Sequence, residues 1–263
     1  MMLTLQYDGS AFHGWQAQPD VPTVQATLDR ILSRLFDRPT RCAAAGRTDR
    51  GVHATGQVAT VDAPTGWSPE QLLRALNALL PDEILVSSAH EVAPDVHARF
   101  SALARAYVYR VGVAERTRSP FIGPYCWPVC APLDRAALDG AAATVAGEHS
   151  FAAFAKAGQE ERGVRCRVFS SGWRDWGELG VAYHVRADRF LHHMVRYLVG
   201  TMIEVALGKR PGADIPGLLD AHAGLVTSAP APAGGLFLAR VYYDPDELER
   251  HAAAGAEVGL PIP

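Results

Sequence analysis

One short run carries most of the chemistry legible in the chain: Gly46-Arg47-Thr48-Asp49-Arg50-Gly51-Val52-His53. Asp49 is a carboxylate set between two guanidinium groups, Arg47 two positions before it and Arg50 directly after. Such neighbours favour the charged carboxylate, which suits a nucleophile or a base better than an acid. Gly46 and Gly51 bracket the polar residues and let the backbone bend tightly through positive φ. On residue types alone a plainer description outweighs the catalytic one: a hairpin whose Asp turn carries solvated ion pairs.

Other familiar chemistries lack their residues. Gly208-Lys209 is followed by Arg210, so the hydroxyl of a phosphate-binding P-loop is missing. No G-x-G-x-x-G follows a strand, and no G-x-S-x-G elbow occurs. Placed on one helix, the consecutive His192 and His193 diverge by a quarter turn or more and do not easily share an ion. They read as surface or hydrogen-bonding histidines near a helix start. Cys42, Cys126, Cys130 and Cys166 form no C-x-x-C pair, which predicts reduced, inert thiols rather than a zinc site. The motifs therefore ask for no cofactor and no metal.

The elements that must position Asp49 follow from periodicity. Val24, Leu28, Ile31, Leu32 and Leu35 share a face of a helix over Thr23–Phe36, with Thr23 as its N-cap. A second helix is expected over Pro69–Leu80. Strand-like runs lie near Leu3–Tyr7, Thr40–Ala44, Gln57–Val61 and Ile84–Val92, so the first half reads β-α-β-β-α-β and the Asp49 loop joins its two middle strands. Ala104–Val113 then predicts a long strand and Leu133–Ala146 a helix. Strands at Val164–Trp173 and Val181–Ala187 follow, with Gly177 and Gly180 in the turn region between them. The most apolar helix is expected over Phe190–Leu207, another over Ile215–Ala223, and a last strand over Leu236–Tyr243. The loop Thr227–Gly235 is rich in Ala, Pro and Gly and depends on its contacts for order. The expected class is α/β (α+β): a mixed, mainly antiparallel central sheet with helices packed on it, its two β-α-β-β-like halves, 1–101 and 102–263, forming a cleft.

Bulk properties narrow the setting. A chain of 263 residues has length for one large domain or two coupled halves. No run is apolar enough to span a bilayer, and no basic leader precedes Leu3–Tyr7, so a soluble cytoplasmic protein is expected. The net charge of −3 argues weakly against a nucleic-acid partner. Against that, Lys156 and Lys209 are the only lysines. Every other basic side chain is an arginine, whose planar fork grips phosphate and stacks on bases.

The order of motifs decides between the two descriptions of the loop. Gly46-Arg47-Thr48-Asp49-Arg50-Gly51-Val52-His53-Ala54, followed by Gly56-Gln57, resembles the catalytic loop of the tRNA pseudouridine synthase A family. Tyr7-Asp8-Gly9 with Phe12-His13-Gly14-Trp15-Gln16, and then Thr23-Val24-Gln25, is similar to the family's first motif. His97-Ala98-Arg99-Phe100-Ser101-Ala102 leading to Arg105-Ala106-Tyr107-Val108-Tyr109 resembles the second. Phe190-Leu191-His192-His193-Met194-Val195-Arg196 with Gly200 resembles the third, and Pro232-Ala233-Gly234-Gly235-Leu236-Phe237-Leu238 the last. They run in the family's order over nearly the whole chain. Arg50 is a departure, standing where bacterial members often carry alanine.

The resemblance implies an isomerase that converts uridine to pseudouridine at positions 38, 39 and 40 of the tRNA anticodon stem-loop. Asp49 matches the family's catalytic carboxylate; attack on C1′, addition to C6 and proton removal from C2′ all remain open to it. Tyr107 matches the active-site tyrosine, although Tyr109 shares its strand face and physics alone does not choose between them. Arg196 matches the basic residue paired with the carboxylate, Arg47 and Arg105 are assigned to phosphates or loop support, and Leu236 to packing on the base. The implied partners are tRNA and a second copy of the chain, with no membrane. A phosphate-lined groove would make tRNA binding strongly salt-dependent. Three rivals remain: a related synthase with another RNA target, a non-catalytic RNA-binding protein, and a glycosidase, for which a second carboxylate is missing.

Overall fold

The computed structural model describes residues 1–156, 163–219 and 224–253. The first elements are β1 (Met2–Tyr7), α1 (Val24–Phe36), β2 (Ala43–Ala44), β3 (His53–Thr60), α2 (Pro69–Asn77) and β4 (Ile84–His90). There follow β5 (Ala104–Gly112), β6 (Trp127–Pro128), α3 (Arg135–Val145), β7 (Gly147–Ser150), β8 (Arg165–Trp176) and β9 (Gly180–Ala187). The last are α4 (Met194–Ala206), α5 (Asp214–Leu219), β10 (Leu236–Tyr242) and α6 (Pro245–Ala253). The class is mixed α/β with mainly antiparallel strands. Two compact units divide the chain: Met1–Leu103 together with Phe237–Glu247, and Ala104–Leu236. A single cut thus does not separate them, because the chain returns to the first unit for its last strand.

In the first unit the strand order is β4-β1-β3-β10, with β2 also on β3. β1 runs antiparallel to both β3 and β4, and β10 is parallel to β3. Leu3, Leu5 and Tyr7 alternate inward along β1, the period-2 pattern of a strand with one buried face. α1 starts at Thr23, whose hydroxyl accepts from the Ala26 amide. Its buried face is completed by Phe36, with Leu35 only half-buried. α2 opens on a reciprocal capping box between Ser68 and Gln71 with Pro69 in its first turn. The returning strand is fastened at its far end, where the Leu103 amide donates to the Tyr242 carbonyl and the Tyr243 hydroxyl to that of Ala98, 2.6 Å away.

In the second unit β7, β8, β9 and β5 form an antiparallel run, and β6 lies parallel to β5. α3 packs on β8 and on α4. α4 is buried nearly all round, from Met194 to Ala206, as its composition demands.

Several expected boundaries move. β3 begins at His53 rather than Gln57, and β2 keeps only two residues of Thr40–Ala44. α4 begins at Met194, four residues later than Phe190, because His193 takes a left-handed conformation at φ 65° and caps it. His192 and His193 therefore precede the helix, and the divergence argument based on helical positions does not hold; their ring centroids lie 4.1 Å apart. α5 covers Asp214–Leu219, and the rest of the expected Ile215–Ala223 helix lies outside the described residues. β6, β7 and α6 have no counterpart in the sequence expectation.

Candidate active-site residues

In the first unit the Asp49 loop joins β2 to β3 and is fixed by backbone and buried side chains. The Trp15 amide donates to the Thr48 carbonyl at 3.0 Å, and the Val52 amide to that of Asp49 at 3.1 Å, closing the turn. Gln57, fully buried on β3, donates its side-chain amide to the Gly46 carbonyl at 2.8 Å. Thr48 is buried, and its hydroxyl lies 2.7 Å from that of Tyr7. Gly51 has φ 77°, as the bend requires, whereas Gly46 stays out of the positive region. Behind the loop, Gly14 has φ 92°, and a Cβ there would come within 2.7 Å of the Thr48 carbonyl oxygen. The first motif is thus a backing plate for the loop. Asp49 emerges half-buried, with Arg47 and Arg50 exposed beside it.

His53 closes the loop from the β3 side. It is buried, stacks on Phe237 with centroids 4.8 Å apart, and accepts at Nδ1 from the Gly9 amide at 3.1 Å. The Asp8 carboxylate lies 3.2 Å from the same nitrogen. Motif matching marked Asp8, Gly9 and His53 as family residues without a role. The role is structural: they seal the ends of β1 and β3 against each other.

In the second unit β5 carries Arg105, Tyr107 and Tyr109, and here burial distinguishes what spacing did not. Tyr109 is fully buried, and its hydroxyl donates to the Pro232 carbonyl at 2.7 Å. Burial holds that phenol well above its ordinary range, against the opposing effect of Arg196. Tyr107 is half-buried, opposite Val185 of β9, with its ring edge-on to Phe190 at 4.9 Å. Arg105 spends one guanidinium nitrogen on the Asp188 carbonyl, at 2.9 Å. Arg110, three residues after Tyr107, is buried over the Trp176 ring at 4.7 Å, and desolvation lowers its pKa to about 10.

Arg196 lies in the first turn of α4 and Leu236 opens β10. Arg196 donates from Nε to the Ala231 carbonyl at 2.7 Å, and the Ala231 amide donates back to its carbonyl at 2.9 Å. Ser228 is held by Glu204 and Thr201 of the same helix. These bonds order the Ala-, Pro- and Gly-rich loop and deliver the Gly234-Gly235-Leu236 turn. A Cβ on Gly235 would meet the Tyr109 ring at 2.7 Å, so that turn needs its glycine for close approach. Leu236 is buried. Arg196, Tyr109 and the Pro232–Leu236 turn thus form one constellation, and Tyr107 with Phe190 and Arg105 another, all in the second unit. Asp49 and Arg47 belong to the first.

Among the described residues, no helix is long and apolar enough to cross a membrane. A family model described as tRNA pseudouridine synthase matches residues 4–101 and 141–244. A protein of Chlorobium luteolum named tRNA pseudouridine synthase A is 40% identical over 246 residues, covering 93% of this chain and 95% of its own length. Proteins of the same name from Geobacillus kaustophilus and Myxococcus xanthus are 41% and 39% identical, over 94% and 92% of this chain and 95% and 91% of their own lengths. The elements holding the Asp49 loop and the motif around Arg196 fall within the matched segments, and Tyr107 lies in the stretch between them. The chain belongs to the tRNA pseudouridine synthase family.

Proposed function

We propose that this chain isomerises uridine to pseudouridine in the anticodon stem-loop of tRNA, at positions 38, 39 and 40. The observation that carries the reading is the half-buried Asp49 carboxylate on a loop fixed at Gly46, Thr48 and Asp49, in a chain of this family. In the reaction the bond from uracil N1 to ribose C1′ breaks, the base turns, and C5 bonds to C1′. C5 gives up a proton and N1 gains one, so the change is balanced with no external energy source.

Asp49 is assigned the carboxylate role at the ribose or the base. Tyr107, with its ring partly exposed, is assigned to stack on the uracil and help move the C5 proton. The assignment is supported by the contrast with Tyr109, which is fully buried where Tyr107 is only half-buried. Arg196 is assigned as the ion-pair partner of Asp49 on the strength of the family motif, and Leu236 as apolar packing for the base. Arg47 and Arg105 are assigned to RNA phosphates. Stem uridines are stacked and paired, so the target must be turned out, at a cost of a few kcal/mol that is smallest near a loop. We assign the working form as a homodimer, in which arginines of two copies surround one tRNA and the field at the groove outweighs the net charge of −3.

The test is to incubate unmodified tRNA transcripts carrying uridine at 38, 39 or 40 with the protein and to map pseudouridine by carbodiimide block of reverse transcription. Stops confined to those positions are expected. Modification of a different loop would favour the related-synthase alternative, and tRNA binding without any stop would favour a non-catalytic RNA-binding protein.

A further inference from the structure

We propose that Tyr7, Thr48 and Gln57 form a buried clamp that sets where the Asp49 carboxylate reaches; this rests on the catalytic assignment of Asp49 above. All three are buried, and they join three separate stretches of the first unit: the end of β1, the loop, and the middle of β3. Gln57 donates its side-chain amide to two acceptors, the Gly46 carbonyl at 2.8 Å and the Tyr7 hydroxyl oxygen at 3.3 Å. Its own side-chain oxygen accepts from the Val58 amide at 3.2 Å. The Tyr7 hydroxyl is also hydrogen-bonded to that of Thr48, 2.7 Å away, and either can donate. The chain of hydrogen bonds thus runs from Gln57 through Tyr7 to Thr48 and ends one residue before Asp49.

This arrangement fixes the loop where it matters. Gly46 and Thr48 are held by side chains, and the Trp15 amide also holds the Thr48 carbonyl. The backbone that carries Asp49 is thereby held in place, which a carboxylate aimed at one atom of a flipped nucleotide requires. Displacing such a group by about 1 Å can cost on the order of 100-fold in rate. Buried hydrogen-bonded networks act as units, so removing either hydroxyl breaks the same link. All three side chains are buried, and their role is that of positioning residues.

The experiment compares Tyr7→Phe, Thr48→Val, Thr48→Ser and the Tyr7→Phe/Thr48→Val pair with the wild type, alongside Asp49→Ala. Tritium release from C5-labelled uridine in tRNA gives kcat and KM, and filter binding gives the tRNA Kd. Tyr7→Phe and Thr48→Val are each expected to lower kcat about 10- to 100-fold, with KM and Kd within about twofold. Thr48→Ser keeps the hydroxyl and should recover most of that loss. The double variant should be no slower than the slower single one, because both remove one link. Wild-type kcat in both single variants, multiplying losses in the pair, or no recovery in Thr48→Ser would overturn the clamp. If Tyr7→Phe does not fold, the Thr48→Val and Thr48→Ser comparison decides alone. Inactive Asp49→Ala with unimpaired clamp variants defeats the clamp only, whereas active Asp49→Ala defeats the assignment on which it rests.

Discussion

Two tyrosines two residues apart on β5 illustrate how burial divides labour that spacing leaves undivided. Both project to one side of the strand, but Tyr109 is sealed beneath the Gly234-Gly235 turn and bonded to Pro232, while Tyr107 stays partly exposed beside Phe190. Removing the Tyr109 hydroxyl leaves the Pro232 carbonyl without that donor, so Tyr109→Phe should cost about 1–3 kcal/mol of stability, read as a lower urea midpoint. Its rate per folded molecule should be near that of the wild type. Tyr107→Phe should melt within about 0.5 kcal/mol of the wild type, yet lose on the order of 100-fold in tritium release. The opposite pattern would exchange the roles of the two residues. At this scale the sequence was informative about residue type and silent about exposure. Tyr107 was picked out by its motif and not by its chemistry, and a buried arginine such as Arg110 left no signal in its neighbours.

The elements around Asp49 are anchored by close backbone approach as much as by side chains. Gly14 combines φ 92° with a carbonyl where its Cβ would go, so Gly14→Ala pays both for the strained backbone and for displacing Thr48. We expect a loss of about 2 kcal/mol or more in denaturant unfolding, and a fall in kcat in whatever fraction stays folded; an unchanged midpoint would show that the first motif does not back the loop. Regular elements were legible where a strong period met a cap, as in α1 behind Thr23 and α2 behind Ser68. They were misjudged where conformation broke a continuing pattern. Phe190 and Leu191 prolong the apolar run of α4, but the left-handed His193 stops the helix short of them. β6 and β7 are two and four residues long, too short to show a period, and exist because β5 and β8 offer them partners.

For the molecule as a whole, the class and the family were legible because five motifs keep their order along the chain. The return of Phe237–Glu247 to the first unit was not, since nothing in a strand's own residues names its neighbour. The roles proposed for Asp49, Tyr107 and Arg196 all depend on one chemical claim, that this carboxylate is needed for breaking and remaking the glycosidic bond but not for holding the RNA. It is tested most directly by tritium release from tRNA labelled at uridine C5, measured for the wild type and for Asp49→Ala at matched, saturating occupancy. Release by the wild type and none above background in the variant is expected, with the tRNA Kd of the variant within about threefold. Release by Asp49→Ala at the wild-type rate would contradict it.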